Sequence, residues 1–135
     1  MPRIMADNNV EVSLDAIIQF LQSGVWQEFW EEADVTEVGL RGLGLEPDSP
    51  DRLIWQTCQS EGVVLFTGNR NQQGPDSLEE TIRQLNQADS LPVITLGDPE
   101  RFRNDRTYAE RAAVKLLDYL LSLDDHRGAG RLYVP

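Results

Sequence analysis

Val63-Val64-Leu65-Phe66-Thr67-Gly68-Asn69-Arg70-Asn71 is an apolar, β-branched run that stops abruptly at a glycine and two asparagines. Such a run predicts a buried parallel strand that delivers polar side chains to the carboxyl edge of a sheet. Open α/β sheets keep their sites at that edge. Arg3-Ile4-Met5-Ala6 has the same form, a short apolar strand with Asp7 at its tip and Asn8 and Asn9 behind it. If the two strands are neighbours, Asp7, Asn69 and Asn71 converge.

Helical patterns fill the intervals. Val12, Leu14, Ile17, Ile18 and Leu21 recur at helical spacing, with Asn9 or Ser13 as N-cap and Gly24 as stop. Trp26, Phe29 and Trp30 fall on one side of a second short helix, where they read as core, with a partner surface as the alternative. Asp34 to Gly39 alternates weakly enough for a second strand, and Leu40 to Asp48 reads as loop. Ser49-Pro50-Asp51 then offers an N-cap, a proline at the first helical position and an acid in the first turn of a helix ending at Gly62. Within it Cys58 reads as a small core hydrophobe.

Beyond the central strand, Ser77-x-x-Glu80 is a capping box that opens a helix carrying Leu78, Ile82 and Leu85. Leu91 to Leu96 is a further buried strand, and Asp98 caps a short helix from Pro99. A long helix spans about Arg106 to Leu123, and Arg131-Leu132-Tyr133-Val134 forms a last strand or tail. This alternation predicts a three-layer α/β/α domain over residues 1–135, with a mainly parallel sheet of about four or five strands joined by right-handed crossovers.

Composition narrows the function classes. A chain of 135 residues can bury roughly two-thirds of its unfolded surface, so it needs no staples. The single cysteine leaves neither a disulfide framework nor a cysteine-based metal site, which suits a cytoplasmic setting. No run approaches a membrane span or a signal peptide. With 23 acidic against 12 basic residues the net charge is −11, which argues against general electrostatic capture of nucleic acid but not against a local contact. Arg101, Arg103, Arg106 and Arg111 cluster, yet pairing with neighbouring acids accounts for them.

No phosphate-binding glycine loop and no nucleophile elbow follows any expected strand. The sole histidine, His126, lies in an Asp-Asp-His-Arg-Gly turn and reads as a surface residue. What remains is an oxygen-rich set of Asp7, Asn8, Asn9, Asp51, Asn69, Asn71 and Asp76. Carboxylates with amide carbonyls are the ligands that Mg or Mn prefers. Gathered acids need a cation, because two like charges ~4 Å apart repel by about 4 kcal/mol at an effective dielectric of ~20. Each also has a plainer reading: Asp51 and Asp76 stand where helix starts favour acids, and the asparagines can simply turn the chain.

On these motifs the chain resembles the PIN-like domains related to toxin ribonucleases of toxin–antitoxin systems. Asp7 in Met5-Ala6-Asp7-Asn8-Asn9 matches that family's acid at the end of the first strand. Asp51 in Ser49-Pro50-Asp51-Arg52 matches its acid early in a later helix. Thr67-Gly68-Asn69-Arg70-Asn71 matches its strand-end Thr-x-Asp-x-Asp, with amides where the family has acids, and Asp76 stands in for a lost acid. The likeness covers residues 3 to 100. It implies a divalent-metal-dependent ribonuclease in which Asp7, Asp51 and Asp76 hold Mg or Mn and Asn69 and Asn71 position RNA. The amides remove formal charge from that site, so the resemblance equally implies a degenerate PIN-like module acting through a protein partner such as an antitoxin.

Overall fold

The structure is a computed structural model and describes residues 1–68 and 77–135. In chain order its regular elements are β1 (Arg3–Ala6), α1 (Glu11–Leu21), α2 (Gln27–Ala33), β2 (Thr36–Glu37), α3 (Asp51–Glu61), β3 (Val63–Gly68), α4 (Leu78–Leu85), β4 (Val93–Leu96), α5 (Pro99–Asn104), α6 (Arg106–Leu121) and β5 (Arg131–Val134). Among the described residues the strands form one five-stranded, all-parallel sheet in the order β2-β1-β3-β4-β5. The α/β/α layering is therefore as the alternation of strands and helices implies, and the condition that β1 and β3 be neighbours is met.

Every residue of β3 is buried, because β3 is flanked by β1 and β4 and covered on both faces. Its alternate side chains go to different cores. Val64 and Phe66 join Ile4, Ala6, Ile94 and Leu96 beneath α1 and α6, where Leu14, Ile17, Leu116 and Leu117 pack. Val63 and Leu65 join Met5 and Val93 beneath α3 and α4, where Ile54, Trp55, Cys58 and Ile82 pack. The pleat assigns these faces, since successive side chains point to opposite sides.

Several local expectations shift. Neither Asn9 nor Ser13 caps α1: its N-cap is Val10, whose carbonyl accepts from Leu14 N at 2.9 Å, and Ser13 is buried inside the helix. Val12 and Phe29 face solvent, at 82% and 48% exposure, because Trp30 and Ala33 carry the buried side of α2 and Leu14 and Ile17 that of α1. Pro50, not Ser49, occupies the cap position of α3, and Ser49 Oγ instead accepts from Glu46 N at 2.9 Å. β2 shrinks to Thr36–Glu37 at the sheet edge, and α6 ends at Leu121 before a separate turn of 3₁₀ helix.

Other readings stand. Ser77 Oγ accepts from Glu80 N at 3.2 Å, and Asp98 Oδ1 from Arg101 N at 3.0 Å. The reciprocal half of the capping box is replaced, since the Glu80 carboxylate binds Arg83 and Gln84. β4 begins at Val93 because Pro92 has no N–H to give the ladder. Just ahead of it the Gln59 amide brackets Leu91, donating to Leu91 O at 2.8 Å and accepting from Leu91 N at 2.9 Å. No helix of the described residues is long and apolar enough to cross a membrane.

Burial on both faces sets the expected cost of disturbing β3. Phe66→Ala should destabilise the protein by about 3–5 kcal/mol, whereas Val12→Ala should change stability by less than about 0.5 kcal/mol. Urea unfolding of the two variants checks the contrast, and equal losses would mean that the core is centred elsewhere.

Candidate functional site at the carboxyl edge of β1 and β3

The strand order reverses between β1 and β3, so the chain leaves these neighbours toward opposite sides of the sheet. In doubly wound sheets the crevice at such a switch point is where ligands bind. Asp7 sits at this fork. Its N–H extends the ladder to Phe66 O at 2.8 Å, its Oδ1 accepts from Asn8 N at 2.7 Å, and it is 5% exposed. Alternation from Met5 turns its side chain toward the α3/α4 face.

Cys58 of α3 registers that carboxylate. Burial first, and the Asp7 charge second, push the thiol up to about 12. The thiolate is therefore suppressed, and Cys58 is a core residue and not a nucleophile.

Asp51 opens α3, which runs back from the carboxyl edge before β3 begins, and α4 starts at the same edge after β3 ends. Asp51 Oδ2 accepts from Leu78 N at 3.2 Å, so one carboxylate ties the starts of two helices together. The fold thus brings Asp7 and Asp51 to one edge of the sheet. Asn69, Asn71 and Asp76 lie outside the described residues. Among the described residues no group of three or more His, Cys, Asp or Glu stands together in a way that could hold a metal ion. Asp7 and Asp51 alone could hold one only with further oxygen donors. Acids do gather on the other face, where burial first, then Asp15 and Glu11, raise the Glu37 carboxyl above its ordinary range.

A polar row below this edge escaped the reading of the motifs. Thr67 pairs in register with Thr95, one level with Asp7, and their hydroxyl oxygens lie 3.1 Å apart in full burial. Arg131, from the start of β5, reaches up to donate from Nη1 to Thr95 Oγ1 at 2.6 Å. Its Nη2 lies 3.1 Å from Glu79 Oε2 on the first turn of α4. The row thus joins β3, β4, β5 and α4. Its signal in the sequence is a threonine near the end of two otherwise apolar strands, Phe66-Thr67-Gly68 and Ile94-Thr95-Leu96. Buried hydroxyls at such positions require partners.

Among the described residues, concavities also lie elsewhere. A cleft of about 1160 Å³ opens at the amino end of the sheet, past Gly62, Gln59 and Leu91, and none of the candidate residues lines it. A shallow apolar groove of about 900 Å³ runs over α6 beside Trp26, Phe29, Leu121 and Tyr133. Among the described residues the carboxyl edge is preferred on chemistry: it combines a buried carboxylate, a switch point and a half-buried cation, the Arg131 guanidinium.

Comparison with protein-family models, curated proteins and solved structures finds no match for this chain. The candidate site therefore rests on the geometry of Asp7, Asp51 and the threonine row.

Two measurements check these assignments. Cys58 should resist a thiol reagent in the native state at about pH 8, where a group with a pKa of about 12 is thiolate in only about one molecule in ten thousand, and react fully once unfolded. Because its folded pKa lies above the ordinary 9.0, its contribution to stability is complete below pH 9.0 and is lost as pH climbs toward about 12. Thr95→Val, which removes the partner of the Thr67 hydroxyl and of Arg131 Nη1, should cost about 1–3 kcal/mol in urea unfolding.

Proposed function

We propose that the chain is a PIN-like, divalent-metal-dependent ribonuclease of toxin type. The observation that carries this reading is the placement of Asp7, a carboxylate 5% exposed, at the fork between β1 and β3. A carboxylate fixed at a switch-point crevice stands where ligands bind, and with further oxygen donors it is suited to a divalent cation. Asp51, Asp76, Asn69 and Asn71 complete the set: the acids hold Mg or Mn and the amides orient the RNA. The metal when bound polarises a phosphodiester oxygen and lowers the pKa of its water. The protein's own part is to fix Asp7 through the ladder to Phe66 and the bond from Asn8. Asp51 meanwhile keeps the starts of α3 and α4 in contact.

A second reading has its own support. Asn69 and Asn71 take the place of acids in the strand-end motif, and the groove over α6 exposes Phe29, Leu121 and Tyr133. A degenerate module that docks a protein partner, such as an antitoxin, fits those features.

The two readings separate on one titration and one assay. Mn²⁺ at millimolar concentration should raise the melting temperature, EDTA should reverse the rise, and Asp7→Asn should abolish it, by linkage of binding to folding. Wild type should cleave single-stranded RNA, and Asp7→Asn or EDTA should each remove the activity. A wild-type melting temperature indifferent to Mn²⁺, with intact RNA, would leave the docking module.

A further inference from the structure

We propose that Arg131 is an anion subsite of the β1/β3 edge, a guanidinium that takes a phosphate oxygen of the substrate while Glu79 holds its place in the free protein. The substrate class rests on the ribonuclease reading, whereas the subsite rests on geometry.

Burial distinguishes this arginine. Its side chain is 16% exposed, and the other ion-paired bases among the described residues are at least 39% exposed. Those others sit where pairing contributes little. Arg131 instead opens β5 opposite Val93 and extends along β4 to the level of Thr95. Its guanidinium thereby joins the row that continues through Thr67 to the level of Asp7, about 10 Å away across two strand spacings. A chain of net charge −11 that takes a polyanion needs a local cation where the substrate lies, and this is a cation inside the edge of the proposed site.

The donors are not exhausted. A guanidinium has five N–H groups in a fixed fork. Here Nη1 donates to Thr95 Oγ1 and Nη2 faces Glu79 Oε2, while the buried Nε has no partner among the described residues. Thr95 therefore fixes one arm and leaves the other for an anion. Glu79 is a weakly held occupant: it is 71% exposed, and its position in the first turn of α4 suits a carboxylate without Arg131. A phosphate matches the fork as well as a carboxylate does, so it can displace Glu79, which then turns into solvent.

The test uses two variants that act in opposite directions. Glu79→Gln removes the competing charge and leaves the Arg131–Thr95 bond in place. Arg131→Gln removes the subsite, with circular dichroism confirming that it is folded. Inorganic phosphate titrated into ¹⁵N-labelled protein should shift the Arg131 Nε–H resonance to saturation, at several-fold lower concentration in Glu79→Gln. That resonance is identified by its loss in Arg131→Lys. Anisotropy with a short labelled single-stranded RNA should show several-fold tighter binding for Glu79→Gln. For Arg131→Gln binding should be about tenfold weaker, with the logarithmic salt slope smaller by about 0.7.

No saturable phosphate shift in either protein, or RNA bound by wild type with an affinity unchanged in both variants, overturns the subsite even if RNA is cleaved. Saturation by phosphate and by a 5′-mononucleotide, with RNA neither bound nor cleaved, supports the subsite and removes the ribonuclease reading instead.

Discussion

The structure depends on β3 being buried along its whole length, between two paired strands and beneath helices on both faces. A strand in that position can carry only apolar groups, or polar groups whose partners travel with it. Val63 to Phe66 meet the first condition and feed the two cores alternately. Thr67 meets the second, because Thr95 lies beside it in register. In the two central strands β3 and β4 polarity therefore enters only near the end, where they run out toward their carboxyl edge. Chemistry can be located there without weakening the hydrophobic centre.

That edge is also where connections diverge. β1 leads away through Asp7 to α1, and β3 leads toward α4 on the other face, so the fork between them is a consequence of strand order. Asp7 and Asp51 each serve the fold at this edge. Asp7 accepts from the following N–H, and Asp51 accepts from the first N–H of α4, relieving a donor that the helix itself cannot satisfy. Residues placed firmly for structural reasons are suited to hold a ligand in a defined position.

Charge is divided in the same way. Most bases answer nearby acids on the surface: Arg101 pairs with Asp105, Arg106 with Glu110 and Arg127 with Asp124. Arg101 also lies over the Tyr108 ring at 4.8 Å, while the Tyr108 hydroxyl accepts from Asp98 N and donates to Pro135 O. These contacts hold the carboxyl end of the chain against α6. Arg131 departs from the pattern because it is anchored by a buried hydroxyl and reaches its acid only at the rim.

Elements written in local order were legible in the sequence. The apolar runs at residues 63–67 and 93–96 are strands because no other element buries consecutive β-branched residues with glycine or proline at the boundary. Ser77 and Asp98 are caps because their oxygens reach N–H groups three residues on. Asp7 and Asp51 were legible as edge acids because one follows a short apolar strand and the other opens a helix. The sequence did not reveal which side of a short helix turns inward, and Val12 and Phe29 face solvent accordingly. Nor did it reveal the Thr67–Thr95–Arg131 row, whose members are separated by 28 and 36 positions and become neighbours only through strand register. Periodicity constrains residues one or two turns apart. Register between distant strands is set by the packing of the whole sheet, and the tertiary structure alone decided that a half-buried arginine would share an edge with Asp7.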